Sequence, residues 1–294
     1  MKLAVTVSPV ELDAPMDGTD RLIVAEESAT HVSVRDLGLT RGDGIFEVIG
    51  VANGVPQALA AHLRRLSWSA AMLDLPPLDL ATIEAAVRKV IDVNEPAPEL
   101  GVKIVVTRGI EGDAAPSASC WVTVIDSLGF ERERLEGIAV VTLDRGYPHD
   151  IAARAPWLLA GAKTLSYAVN KAALREAARR GADDVLFVSS DGYLLEGPTS
   201  TLLLRIGNRV LTPATAQGVL PGTTQGSLFD FFADQGLVTA QALLRPADLA
   251  RADGAWLASS VRLLAPIRAV DGEQQIVDND LTRSANDFLL ARTS

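Results

Sequence analysis

A single cysteine, Cys120, stands in a chain of 294 residues, so neither an internal disulfide nor a cysteine-rich zinc site can form. Histidine is nearly as scarce: His31, His62 and His149 lie far apart and make no H-E-x-x-H pattern, which argues against a metal site. No apolar run approaches the roughly 20 residues that a membrane helix requires. The opening MKLAVTVSPVELDAP has only a brief apolar stretch before its first acids, and reads as a first strand rather than a secretion signal. A cytoplasmic protein is expected, without a membrane partner. No G-x-G-x-x-G opens a helix after a strand, which excludes a Rossmann unit. Positive charge is in deficit, with 27 Lys and Arg against 37 Asp and Glu and a net charge of −10. That balance argues against nucleic-acid binding but leaves room for local basic pockets that take phosphate or carboxylate.

What is present fits a globular enzyme-sized chain. Hydrophobic residues make up 48% and charged ones 22%, and the length allows two domains, each with its own core. A two-domain α+β and α/β architecture is expected: a small α+β domain over 1–128, a charged linker FERERLE within 129–137, and a larger domain over 138–294. In the first, strands are predicted at 2–7, 21–25, 31–34, 45–51 and 55–59, with Asn53-Gly54 as a hairpin turn. Leu59, Leu63, Leu66, Ala70 and Leu73 recur at helical spacing until Pro76-Pro77. A second helix is predicted over 80–93, then paired strands at 102–107 and 119–125. The last helix is expected at 281–291.

The most informative stretch is 162–200, AKTLSYAVNKAALREAARRGADDVLFVSSDGYLLEGPTS. Lys163 follows an apolar run and precedes a helix predicted to run from 166 or 167 to 180, with Val169, Ala173 and Ala177 as its apolar stripe and Gly181 as its stop. A strand over 185–189, a turn at Asp191-Gly192 and a returning strand over 193–195 then deliver Glu196. A lysine in apolar surroundings has a lowered pKa, and its neutral amine attacks carbonyls. A carboxylate can keep a pyridine nitrogen protonated, so the two together suit pyridoxal phosphate chemistry. On spacing alone, a surface lysine with its stem on apolar side chains and a solvated turn glutamate explain the same residues.

Other stretches carry weaker signals. In His62-Leu-Arg-Arg-Leu66, Arg65 flanks the apolar stripe, where a guanidinium can reach a phosphate bidentately or remain a surface arginine. Leu220-Pro-Gly-Thr-Thr-Gln-Gly226 leads into a helix predicted over 227–234, and suits an anion or a plain N-cap. Ala258-Ser-Ser-Val-Arg262 reads as a turn after a strand, offering Ser259 and Ser260 as donors. Arg41 opens RGDGIFE and Arg108 lies in VTRG at a strand end; each can bind a carboxylate or serve as an ion-pair partner.

The run K-T-L-S-Y-x-x-N, then GADDVLFVSSDGYLLEGPTS, then LPGTTQG, closely resembles the class IV, fold type IV pyridoxal phosphate enzymes. These include branched-chain and D-amino acid aminotransferases and 4-amino-4-deoxychorismate lyase. The resemblance spans most of the chain and implies the D-amino acid aminotransferase-like fold, with pyridoxal 5′-phosphate as cofactor and a homodimer as the assembly. It implies Lys163 as the Schiff-base lysine, Glu196 as partner of the pyridine nitrogen and Tyr167 near the phenolic oxygen. Arg65, Thr223, Thr224, Ser259 and Ser260 are implied at the phosphate, and Arg41, Arg108 and Arg262 at a small-molecule substrate. Gln225 stands where many relatives have arginine. The D-amino acid enzymes carry a basic R-x-H element after TRG, and here that stretch is the acidic IEGDAAP. The tyrosine-arginine-proline pattern of branched-chain enzymes is missing too. The TRG, HLxRL and RGDGIFE elements are most similar to aminodeoxychorismate lyase, so the expected reaction is release of pyruvate and 4-aminobenzoate, a folate precursor, with amino transfer as the alternative.

Overall fold

The computed structural model describes residues 2–8, 21–29, 32–112, 118–125 and 129–293. The chain divides into two compact units: Met1–Leu128 with Ala162–Tyr167 and Thr293–Ser294, and Gly129–Gly161 with Ala168–Arg292. The segment bearing Lys163, expected in the larger C-terminal domain, instead belongs to the first unit. Among the described residues no helix is long and apolar enough to cross a membrane.

In the first unit the described strands are β1 (Leu3–Val7), β2 (Leu22–Glu26), β3 (Gly44–Ala52), β4 (Val55–Pro56), β5 (Glu99–Thr107) and β6 (Ser119–Ile125). They form one antiparallel sheet in the order β2-β1-β6-β5-β3-β4. Helices α1 (Leu37–Arg41), α2 (Leu59–Met72) and α3 (Leu80–Val93) complete the unit. Alternation places Ile45, Glu47 and Ile49 of β3 on one face with Ile104 and Val106 of β5. Leu63 and Leu66 of α2 and Ile83, Ala86, Val87 and Val90 of α3 are buried on their helices' inner faces. Asp79 caps α3 by accepting the Thr82 N–H at 3.1 Å. A predicted strand over 31–34 is not formed at 32–34, and His31 lies outside the described residues. The strand expected over 55–59 stops at Pro56 because Leu59 already opens α2.

The second unit contains α4 (Glu131–Glu136), β7 (Ile138–Asp144), α5 (Ile151–Arg154), α6 (Ala168–Arg179), β8 (Asp184–Val188), β9 (Thr201–Ile206), β10 (Arg209–Pro213) and α7 (Thr223–Asp234). It continues with β11 (Val238–Ala242), α8 (Pro246–Ala250), β12 (Gly254–Ser259), β13 (Leu263–Val270), β14 (Glu273–Gln274) and α9 (Asn279–Ala291). Its sheet runs β11-β10-β9-β12-β13-β7-β8, with β14 paired to β13. Leu186, Leu202, Leu204, Leu257 and Ile267 pack on one side of it. Leu203, Trp256 and Leu264 face Leu228 and Phe232 of α7 and Leu289 of α9 on the other. Trp256 Nε1–H donates to Thr282 Oγ1 at 2.7 Å, so the buried indole is satisfied.

The expected linker is helix α4, packed on β13. On α6, Ala173 and Ala177 are buried but Val169 is 60% exposed, so the predicted stripe begins one turn late. The expected return strand over 193–195 contributes an isolated bridge, Val188 to Leu194, together with Leu195 N–H to Phe187 O at 2.9 Å and Phe187 N–H to Glu196 O at 3.0 Å. Helix α7 begins at Thr223 rather than Ser227.

Candidate active site

In the first unit, Lys163 is held as an added edge to β3. Phe46 N–H donates to Lys163 O at 3.0 Å, Leu165 N–H to Gly44 O at 2.8 Å, and Thr164 bridges Ile45. The pairing is available because β4 covers β3 only at Val51 and Ala52. The start of β3 therefore has backbone groups to share, which draws the lysine segment into this unit. Gly44 fits beneath it: a Cβ there would lie 2.6 Å from Val106 O and 2.8 Å from Leu165 Cδ1. Lys163 Nζ lies 4.5 Å from the centre of the Phe46 ring, a cation–π distance. Tyr167 meets the same ring edge-on at 5.3 Å. The Lys163 N–H donates to Ser69 Oγ of α2 at 3.2 Å.

Beside it a carboxylate sits at a core position of β3. Glu47 accepts from Arg65 Nε–H at 2.7 Å and Nη2–H at 2.8 Å, and pairs with His62 Nδ1 at 2.8 Å. His62, Arg65 and Ser69 all reach the sheet side because they are spaced three and four apart on α2, while Arg64 is exposed. Burial works to raise the Glu47 pKa, but the Arg65 charge and the hydrogen bonds from Arg65 and His62 outweigh it and hold the carboxyl at about 2. Burial pushes His62 down, the Glu47 contact opposes this, and the charges of Arg65 and Lys163 assist burial. The imidazole is therefore neutral, and since ionised Glu47 has no proton to give, Nδ1 carries the hydrogen.

Arg108 is committed to structure: its Nε–H donates to Asp43 at 2.7 Å and its Nη2–H to Leu73 O at 2.5 Å. Of the expected substrate arginines in this unit, Arg41 is the exposed one, in the last turn of α1.

In the second unit, Glu196 is tied to the loop that starts α7. Both its carboxylate oxygens lie 3.1 Å from the Leu220 N–H. Asn170 Nδ2–H to Pro198 O at 2.7 Å anchors the following turn to α6. Two residues beyond Leu220, Gly222 is the N-cap of α7 and brings no cap side chain over the first-turn amides. A Cβ there would lie 2.5 Å from Thr201 Oγ1, so glycine is required by close approach. Thr223 and Thr224 are buried in this first turn, and Thr223 Oγ1 is 3.5 Å from Ser260 Oγ. Arg145, at the end of β7, stacks over Phe187 at 4.7 Å and Tyr147 at 5.4 Å. Burial raises the Tyr147 pKa; the Arg145 charge and hydrogen bond oppose it and the Glu196 charge assists it.

Arg262 is engaged by a carboxylate of its own unit. Its Nη1 pairs with Asp184 Oδ2 at 2.7 Å, and its Nε and Nη2 are buried away from solvent. The short β12–β13 connection turns these two nitrogens inward on the side of β8.

Residues 44–270 match the family model described as amino-transferase class IV. The chain belongs to the class IV aminotransferases. It is 43% identical over 248 residues to the bifunctional aminodeoxychorismate lyase / D-amino acid transaminase of Mycobacterium tuberculosis, covering 81% of this chain and 86% of that one. A fold IV-transaminase from Curtobacterium pusillum superposes with a TM-score of 0.93 at 50% identity, over 99% of this chain and 97% of that one. A hypothetical aminotransferase from Mycobacterium tuberculosis, solved in a PLP-bound form, gives 0.86 at 38% identity over 96% and 98%. The fold is type IV, as its resemblance implied.

Pyridoxal phosphate is the cofactor of the class IV aminotransferases, and the donor set here fits it. The glycine-capped start of α7 and the hydroxyls of Thr223 and Ser260 suit a phosphate. Thus Glu196, Thr223, Thr224, Ser259 and Ser260 are gathered in the second unit, and Lys163, Tyr167 and Arg65 in the first. Sequence reasoning missed Glu47, Phe46 and Ser69 as supports, and Asp184 and Arg145. Glu47 was the most detectable, since a carboxylate between Ile45 and Ile49 on a core face demands a buried partner.

Proposed function

We propose that this chain is a pyridoxal phosphate-dependent lyase that converts 4-amino-4-deoxychorismate to pyruvate and 4-aminobenzoate. The observation that carries the reading is the 43% identity, over 81% of the chain, to a protein named for that lyase activity. When bound, the cofactor supplies an electrophilic carbonyl and an electron-accepting ring. Lys163 would hold the cofactor through its amine, and in neutral form that amine would take the proton from the substrate's amine-bearing carbon. Glu196, fixed by the Leu220 amide, holds the proton on the ring nitrogen. Thr223, Thr224, Ser259, Ser260 and Arg65 bind the phosphate, and the bidentate Glu47 contact sets the direction of the Arg65 fork. Tyr167 orients the ring's phenolic oxygen, and Arg41, exposed at the end of α1, meets a substrate carboxylate. Proton delivery to the enolpyruvyl group then releases pyruvate and leaves the carbocycle aromatic. The working form is a homodimer.

Amino transfer is the second reading, favoured by the 50% identity to a fold IV-transaminase. It would use the same Lys163 and Glu196, with Lys163 keeping its proton from the enolpyruvyl group, so that no pyruvate is released. Incubating cofactor-loaded protein with 4-amino-4-deoxychorismate separates the two. Equimolar 4-aminobenzoate and pyruvate, abolished in Lys163→Ala, support the lyase. No release from intact holoenzyme, with keto acid formed from a panel of D- and L-amino acids, overturns it in favour of transfer.

A further inference from the structure

The turn that joins β12 to β13 carries more restraint than a three-residue connection needs. Ser259 closes β12 opposite Leu263, the first residue of β13. Leu263 has φ +62°, left-handed backbone that a branched, buried side chain adopts only when its surroundings force it. Three contacts supply that force. Arg134 of α4 donates from Nε–H to Arg262 O at 2.9 Å and from Nη2–H to Val261 O at 3.0 Å. The Arg262 N–H reaches Ser259 Oγ at 3.4 Å. Its guanidinium, nine-tenths buried, pairs with Asp184, which is 1% exposed and whose other oxygen accepts the Val185 N–H at 2.8 Å.

We propose that the Arg262–Asp184 pair is a positioning device: from behind the turn, it holds Ser259 and Ser260 in the geometry that binds the cofactor phosphate. The inference rests on the reading that these serines, with Thr223, take that phosphate. The guanidinium itself touches no ligand, because its remaining nitrogens are enclosed in protein. The pair lacks the hydrogen-bond completeness expected of a device for stability alone. What it does secure is the strained turn, fixed at its side chain by Asp184 and at its carbonyls by Arg134.

The test uses full-length protein loaded with either pyridoxal phosphate or pyridoxal, which lacks the phosphate, and follows release of each by absorbance after dilution. The variants are Arg262→Gln and the double variant D184N/R262Q, which removes both charges together and so leaves no buried ion unpaired. Thermal melting confirms that each is folded. Wild-type protein is expected to release pyridoxal faster than pyridoxal phosphate. In the double variant, release of pyridoxal phosphate rises about tenfold, the equivalent of one good hydrogen bond, while release of pyridoxal stays at the wild-type rate. Equal acceleration of both ligands, or of neither, overturns the positioning role while leaving the phosphate reading intact. Wild-type protein that releases both ligands at one rate overturns the phosphate reading itself, and the inference falls with it.

Discussion

Each unit buries an arginine against a carboxylate, and the two pairs are built differently. In the first, Glu47 receives two parallel bonds from Arg65 and a third from His62, so the carboxylate is fully engaged. In the second, Arg262 meets Asp184 through one nitrogen at 2.7 Å, and Nε, Nη2 and Asp184 Oδ2 are buried without a well-directed hydrogen bond. Proximity of opposite charges is common to both. The number and direction of hydrogen bonds separates a pair that offsets its desolvation from one that does so only in part. The first pair sits under a regular helix facing a regular strand, where i, i+3 spacing sets the geometry. The second is aimed by a strained turn, where the backbone dictates what the side chain can reach.

The sharpest test of this contrast removes one partner at a time. Glu47→Gln leaves Arg65 buried with a neutral partner and is expected to cost about 3–5 kcal/mol in urea denaturation; a loss below about 1 kcal/mol would break the comparison. Next in size is the pH dependence. Glu47 drops from an ordinary 4.5 to about 2 on folding, so the unfolded chain binds more protons between those values. Its contribution, about 3 kcal/mol, is fully present above pH 4.5 and lost as pH falls toward 2. His62 is also depressed on folding, so acid begins to weaken the fold below its ordinary value of 6.5, before Glu47 titrates. Denaturation across that range checks both, and Glu47→Gln should flatten the lower part of the curve.

A smaller effect is expected in the other unit. Asp184→Asn also leaves a buried arginine with a neutral partner, but the pair it breaks has a single close contact and no bidentate bonding, for a cost of about 1–3 kcal/mol. A cost equal to that of Glu47→Gln would erase the distinction between the pairs. At the bottom of the scale, the exposed Arg88–Glu84 pair on α3 is worth little, and Arg88→Ala should shift stability by less than about 0.5 kcal/mol.

Much of the fold is legible in the linear chain. Helix α3 and strand β6 match their predicted bounds, because an Asp cap, a β-rich run and Pro-rich breaks mark them locally. The family is legible as well, since K-T-L-S-Y, E-G-P-T-S and LPGTTQG keep their order along the chain. Periodicity does not reveal which unit holds Lys163. Its segment is irregular, and its partner is the uncovered end of β3, more than a hundred residues earlier. Similarly, α7 starts four residues before its predicted start, and its N-cap Gly222 lies against Thr201 of β9, a contact no local pattern records.

The sequence by itself determined the family and, with it, the cofactor: the motifs around Lys163, Glu196 and the hydroxyl-bearing turns are contiguous, and short-range spacing is what a linear chain encodes. The tertiary structure decided which carboxylate each buried or half-buried arginine meets. Arg65, Arg108 and Arg262 look as free as Arg41 in the sequence, yet Glu47, Asp43 and Asp184 orient them. Each of those choices depends on a carboxylate far away along the chain, brought close only when the sheets assemble and water is excluded.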